Sequence, residues 1–120
     1  MKNSYLIAII FLFVTSFVLA QDKISTSKGD LSIHPILHGT VAFDWNGQTI
    51  YVDPYGGADA FKGVKKPDII LITDIHGDHL NKETLESLDT KNTEFVVPQA
   101  VADQLPDGMK TKMLNTCFLT

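Results

Sequence analysis

Three apolar patterns succeed one another along the chain. The first is continuous: Leu6 to Ala20, LIAIIFLFVTSFVLA, is broken only by Thr15 and Ser16. The second alternates. Val41–Trp45 (VAFDW) and Gln48–Asp53 (QTIYVD) flank Asn46-Gly47, the dipeptide that most strongly signals a hairpin because both residues tolerate positive φ. A two-residue turn pairs Trp45 with Gln48, Phe43 with Ile50 and Val41 with Val52, and these pairs share one face, apolar except for Gln48. Upstream, Leu31, Ile33 and Leu37 fall on one side of a third antiparallel strand, and Pro35 within it favours an edge position. The third pattern is the short unbroken run. Ile69–Thr73 (IILIT) and Glu94–Val97 (EFVV) do not alternate and read as strands buried on both faces.

Helices fit between and after these runs. Asn81 caps a helix through Lys82–Leu88, with Leu80 and Leu85 spaced as a hydrophobic staple. Pro98 opens a shorter helix, PQAVADQL, which ends at Pro106-Asp107-Gly108. Pro54–Gly63 is a glycine-rich loop, and residues 21–30 are polar and read as a flexible lead. The last stretch, Lys110–Thr120, opens like one more strand and then stops. Antiparallel strands followed by alternating strands and helices predict an α/β (α+β) fold, a sheet covered by helices on one face.

The leading apolar run changes the picture of where this sheet works. Met1-Lys2-Asn3 carries a positive charge, the apolar middle follows, and Val18-Leu19-Ala20 ends on small residues: the three parts of a secretory signal peptide over residues 1–20. The run falls short of the roughly 20 residues that a membrane span needs, which leaves an uncleaved anchor as the lesser reading. No cysteine follows it, which excludes a lipoprotein anchor. The mature chain is expected to be periplasmic or secreted, with no stable membrane anchor after cleavage.

Composition narrows the chemistry. With 120 residues the chain allows one modest domain, and 44% hydrophobic with 20% charged residues argues against disorder. The net charge is -4 and every basic residue is lysine, so bidentate phosphate recognition and nucleic-acid binding are not expected. The single cysteine, Cys117, allows neither an internal disulfide nor a cysteine zinc site, and with no base assignable to it reads as inert. Any metal must therefore be held by His, Asp and Glu.

Such residues crowd the loop after IILIT. Asp74-Ile75-His76-Gly77-Asp78-His79 places four metal-capable side chains in six positions. Asp74 and His76 are two apart and point the same way in extended backbone; Gly77 allows a turn that re-aims Asp78 and His79 at a second point. Two metals about 3.5–4 Å apart can clamp a water and lower its pKa. Zinc suits such donors, and manganese or iron is compatible. The bland reading is a solvated loop whose aspartates cap the following helix. The number of donors, the central glycine and the preceding buried strand favour metal.

These residues carry a resemblance. TDIHGDHL resembles the signature of the metallo-β-lactamase superfamily, His-x-His-x-Asp-His after a buried strand, and LHGTVAFDWNGQTIYVDP resembles the opening strands of its periplasmic and lactonase-like members. The likeness runs from about Leu31 to Val101. It implies the N-terminal half of an αβ/βα sandwich, and a zinc-dependent hydrolase in which a metal-activated water attacks a lactone, amide or ester of a small-molecule substrate. It implies His76 as ligand of a first metal and Asp78 and His79 as ligands of a second, with Asp78 also the catalytic residue that orients or deprotonates the water. Two departures stand out. Asp74 occupies the place of the motif's first His, where it can still ligate but adds charge and alters metal preference. The family's later ligands, a further His, a bridging Asp and a final His, do not fall within these 120 residues.

Three other residues stay open between two roles. His38, in LHGT at a strand end, either faces the site or is a turn histidine. Asp53, in VDP at the next strand end, either orients a ligand from behind or caps the glycine turn. His34, beside Pro35, reads as structural, as Phe43 and Trp45 read as packing residues. The chain is thus expected to be an inactive N-terminal fragment of an exported hydrolase, its sheet leaving an apolar face with Phe43 and Ile50 uncovered and open to self-association. The alternative is a small non-catalytic exported metal-binding or interaction module.

Overall fold

The computed structural model describes residues 22–109 and 111–113. The expected signal peptide over residues 1–20 and Cys117 lie outside the described residues. Among the described residues no helix is long and apolar enough to cross a membrane.

Among the described residues, seven strands form one sheet in sequence order: β1 (Asp22–Thr26), β2 (Gly29–Leu37), β3 (Thr40–Trp45), β4 (Gln48–Val52), β5 (Ile69–Leu71), β6 (Glu94–Val97) and β7 (Thr111–Met113). The first four pair antiparallel and β4 to β7 pair parallel. A 3-10 turn (Ala58–Phe61) lies between β4 and β5, helix α1 (Lys82–Ser87) between β5 and β6, and α2 (Gln99–Ala102) between β6 and β7. Crossovers between parallel neighbours taken in sequence order, all of the same right hand, put their helices on one face of a sheet. The antiparallel-then-alternating order read from the sequence is the order observed.

The Asn46-Gly47 hairpin has the expected register: Val41 opposite Val52, Phe43 opposite Ile50, Trp45 opposite Gln48. Both turn residues take positive φ, 49° and 79°. The loose lead is corrected. Asp22–Thr26 pairs with Gly29–Ile33 through a two-residue turn, Ser27-Lys28, followed by Gly29 at φ 104°. Polar side chains concealed this strand, all of whose residues are exposed, because an edge hairpin clear of the core needs no apolar stripe. Pro35 is accordingly not in an edge strand. It sits on β2 beyond Ile33, opposite Asp22 at the start of described β1, next to an irregularity in the β2–β3 register.

The covered face holds the core. Ala42, Tyr51, Ile70 and Phe95 lie in adjacent strands and are fully buried, packed with Phe61, Leu85, Val97 and Val101. Tyr51 stacks on Phe61 with ring centroids 4.4 Å apart and donates its hydroxyl to the Lys65 carbonyl at 2.8 Å. Burial, with the Asp44 charge nearby, pushes its pKa up to about 12. Asn81 caps α1 by accepting from the Thr84 amide at 2.9 Å, and Leu80 and Leu85 are both buried, as the staple requires. Helix α2 is shorter than expected: the Asp103 amide reaches Gln99 O, the Gln104 amide tightens to Val101 O, and the helix ends there.

The other face is half open, which corrects the reading of β5 and β6 as buried on both sides. Across the sheet, Ile33, Phe43, Ile50 and Ile69 align in one row, and Val41, Val52, Leu71 and Val96 in a second. All eight are only partly buried. Strand β5 also stops at Leu71, two residues early, and the cause is a contact from the neighbouring strand end: the Thr73 amide is taken by Asp53 Oδ1 at 2.7 Å.

Candidate metal centre

The C-terminal ends of parallel strands are where side chains from separate loops meet. Here the ends of β4 and β5 bring Asp53 beside the loop 73–79. Asp53 leaves its strand with φ 45°, a conformation that aspartate tolerates better than most residues, and its own amide bonds Leu71 O at 2.9 Å. Its side chain is 7% exposed and fully engaged. Oδ1 accepts from the Thr73 amide, and Oδ2 accepts from the Thr73 hydroxyl at 2.7 Å and from His79 Nδ1 at 2.9 Å. A buried carboxylate needs donors of this kind to offset its lost hydration. The Asp53 side chain thus turns to Thr73 and His79 across the strand ends.

His79 follows from that contact. Its Nδ1–H is committed to Asp53, with Thr73 Oγ1 3.1 Å away, so its Nε2 is left as the free lone-pair donor. Asp78 Oδ2 lies 3.7 Å from that Nε2. The hydrogen bond to Asp53 raises the His79 pKa, against some loss of hydration, and the charges of Asp53, Asp78 and Asp74 add to the rise. The backbone is pinned too: the His79 and Leu80 amides both reach His76 O, at 2.9 and 2.7 Å, and Asn81 Nδ2 donates to Gly77 O.

Asp74 and His76 form a second pair. Asp74 Oδ1 accepts from the Ile75 amide at 2.6 Å, which turns Oδ2 to His76 Nδ1 at 2.8 Å. The hydrogen bond from His76, with that from Ile75, holds the Asp74 carboxyl below its usual range. His76 and Asp78 are open to solvent, with side chains 73% and 65% exposed.

The structure therefore places the four motif side chains as two pairs, Asp74 with His76 and Asp78 with His79. Among the described residues, no three His, Cys, Asp or Glu side chains converge in one cluster. His38 sits in the β2–β3 turn with φ 53°, its ring edge-on to Tyr55 at 5.5 Å. His34 lies away from the loop, its Nε2 3.1 Å from Asp44 Oδ2, and Asp44 also accepts from Thr49 at 2.6 Å. Burial pushes the Asp44 carboxyl up, but its hydrogen bonds from Thr49 and His34 and the Lys65 charge together bring it below its usual range.

Sequence reasoning missed Thr73, whose amide and hydroxyl both hold Asp53. The available signal was a hydroxyl residue at the end of one parallel strand beside an aspartate at the end of its neighbour. It also missed Tyr55, which packs on His38 two residues after Asp53.

In kind, the donors fit a divalent cation: imidazole nitrogen and carboxylate oxygen, with one histidine held from behind by a carboxylate. In number, they supply pairs.

Comparison with known proteins matches residues 32–116 to a family model described as a beta-lactamase superfamily domain. Over 83 residues the chain is 34% identical to a UPF0173 metal-dependent hydrolase of Lysinibacillus sphaericus, covering 65% of this chain and 36% of that protein. It is 31% identical over 83 residues to another of the same description from Bacillus pumilus, with the same coverage of each chain. Among solved structures, a protein assigned as a metal-dependent hydrolase from Parabacteroides distasonis superposes with a TM-score of 0.63 at 29% identity, over 77% of this chain and 42% of that one. A metallo hydrolase from the archaeon Ignicoccus hospitalis shares the fold, with a TM-score of 0.58 at 19% identity over 71% and 40% of the two chains. This chain spans about a third of the length of the curated relatives that it matches.

Proposed function

The chain belongs to the beta-lactamase superfamily, and on that premise we propose that it carries the first part of the metal centre of an exported metal-dependent hydrolase. The observation that carries this reading is the Asp53–His79 contact, which leaves His79 Nε2 free beside Asp78 at the end of a parallel strand. Bound divalent cations, zinc the ordinary choice for such donors, would supply a water of lowered pKa and polarise the carbonyl of a lactone, amide or ester.

The protein's own groups have separate tasks. Asp53 and Thr73 orient His79. Asp74 and His76 would hold one cation, and Asp78 and His79 a second. Asp78, solvent-facing, would be the carboxylate that takes a proton from the attacking water. The described donors come in pairs, so each cation would need further groups to complete its coordination. The pattern of Met1–Ala20 supports export to the periplasm or beyond.

The test is to load the purified chain with zinc or manganese, dialyse it, and measure bound metal and hydrolysis of a lactone, amide and ester panel. The reading expects metal retained by wild type and lost in His76→Ala and His79→Ala, with no turnover. Absence of retained metal would contradict the site, and robust metal-dependent turnover would overturn the inactive-fragment part.

The pairing of donors without a three-fold cluster also favours a second reading, a non-catalytic metal-binding module. In that case the half-open face of Phe43 and Ile50 is closed by a second copy of the chain.

A further inference from the structure

We infer that the outer edge of β1 is a self-pairing surface: two copies of this chain join β1 to β1 antiparallel, with Ile24 opposite Ile24. The inference stands on the first two hairpins and does not depend on the metal centre.

Among the described residues β1 is the edge of the sheet, with β2 on one side and no strand on the other. The register decides which of its backbone groups face outward. Thr26 and Gly29 flank a two-residue turn and so form a hydrogen-bonded pair, and along an antiparallel ladder every second pair repeats that pattern. Ile24 with Leu31 and Asp22 with Ile33 are the repeats. The amides and carbonyls of Asp22, Ile24 and Thr26 therefore turn inward, and those of Lys23 and Ser25 turn outward. The second hairpin gives the same parity independently. Trp45 and Gln48 flank the Asn46-Gly47 turn, so Phe43 and Val41 bond β4, and Asp44 and Ala42 are left to bond Ser32 and His34 of β2. Gly29, Leu31 and Ile33 then remain for β1.

The outward groups complement themselves. With the pairing centred on Ile24, Lys23 of one copy lies opposite Ser25 of the other, and each such pair exchanges both of its backbone hydrogen bonds. The side chains agree with this register. Ile24 is 52% exposed, the most exposed large apolar residue among the described ones, and pairing sets it against its counterpart in the closer, non-hydrogen-bonded position. On the opposite face, Lys23 comes alongside Ser25 of the second copy. That serine is paired with Asp30 and bonded to its carboxylate at 3.1 Å, so the lysine reaches an opposite charge. A lysine on a sheet edge commonly blocks pairing; in this register it meets a serine and a carboxylate instead of itself. The edge is also held in place, because Trp45 Nε1 reaches across β2 and donates to Thr26 Oγ1 at 3.1 Å.

A two-fold axis normal to the sheet generates the pair. Both half-open faces then lie on one side, and the two loops after β5 fall at opposite ends, so neither loop is covered. Five residues a side make a weak contact, which trapping reads better than sedimentation.

The test is disulfide trapping on the 120-residue chain with Cys117→Ser, so that an introduced cysteine is the sole thiol. Ile24→Cys and Ser25→Cys are each incubated with oxidised glutathione and EDTA, and linked dimer is followed on non-reducing gels. Directly opposed residues at position 24 have Cα atoms about 4.5 Å apart, whereas the offset pair at position 25 stands about 7–8 Å apart, at or past the limit for a disulfide. The inference expects Ile24→Cys to link at least about tenfold faster than Ser25→Cys. Adding Ser25→Pro removes an outward amide, leaves the β1–β2 ladder bonds in place, and is expected to slow the Ile24→Cys link about tenfold with the urea midpoint little changed. Lys23→Glu is expected to slow it as well, and Lys23→Glu with Asp30→Lys to restore it. Equal rates at positions 24 and 25 would mean random collision or contact through the open face. That result, or an Ile24→Cys rate indifferent to Ser25→Pro and Lys23→Glu, overturns the inference.

Discussion

Asp53 Oδ2 lies 2.9 Å from Nδ1 of His79 across 26 residues of sequence. That contact joins the end of one strand to the loop beyond its parallel neighbour. It does two jobs with one carboxylate: by capturing the Thr73 amide it ends β5, and by capturing Nδ1–H it fixes the face that His79 presents.

Removing the charge while keeping the shape separates these jobs. Asparagine tolerates the positive φ at position 53, so Asp53→Asn isolates the chemistry from the backbone. Its Oδ1 can still accept from Thr73, but an amide nitrogen then meets the Thr73 hydroxyl and His79 Nδ1–H. The expected loss of stability is about 1–3 kcal/mol, the cost of one or two charge-assisted hydrogen bonds in a buried place, read from urea unfolding of the metal-free chain. Asp53→Ala is expected to lose more.

The same pair gives a pH dependence of known sign. His79 has a pKa raised above 6.5 in the folded chain, so the folded state holds its proton more tightly than the unfolded state. The stabilisation is fully present below about pH 6 and is lost as pH rises through the raised folded value. The stability difference between wild type and Asp53→Asn should therefore shrink from mildly acidic to mildly alkaline pH in metal-free buffer. A gap that grows with pH contradicts the assignment.

The hairpin offers a test free of the site. A Cβ at Gly47 would meet nothing within 4 Å, yet its φ is 79°. Gly47→Ala should cost about 1 kcal/mol through backbone strain alone, while Asn46→Gly should change stability little. Equal effects of the two in urea unfolding would show that the turn does not set the register.

How much of this was legible depends on where the information lay. The Asn46-Gly47 turn and the alternation around it fixed the β3–β4 register to the residue, because a one-residue slip would exchange the two faces. Leu80, Asn81 and Leu85 marked the start of α1 for an equally local reason. Strand β1 was not legible, since an exposed edge strand carries no burial pattern. The length of β5 was not legible either: Ile72 and Thr73 have strand-like side chains, and only the long-range bond to Asp53 takes Thr73 out of the ladder. The loop's donors announced themselves by type and spacing, but the commitment of each nitrogen and oxygen depends on neighbours from another strand.

The open sheet face predicts behaviour in solution. Two apolar rows, Ile33–Phe43–Ile50–Ile69 and Val41–Val52–Leu71–Val96, are only partly buried. A contiguous patch of this kind drives association. Sedimentation of the 120-residue chain should show concentration-dependent oligomers, and Ile50→Lys should shift it to monomer while leaving the covered core of Tyr51, Ile70 and Phe95 intact. A chain that is monomeric at every concentration would show that the face needs no partner.

The central claim is that the loop after β5 holds a divalent cation through its two histidines, with Asp53 behind one of them. The chain's four histidines make the most direct measurement a site-resolved one: nitrogen-detected imidazole spectra during a zinc titration. The account predicts that His76 and His79 shift together, that His79 binds through Nε2 with Nδ1 still protonated, and that His34, bonded to Asp44, keeps its signal. Shifts at His34 or His38 with His76 and His79 unmoved, or no site-specific shift at all, would contradict it.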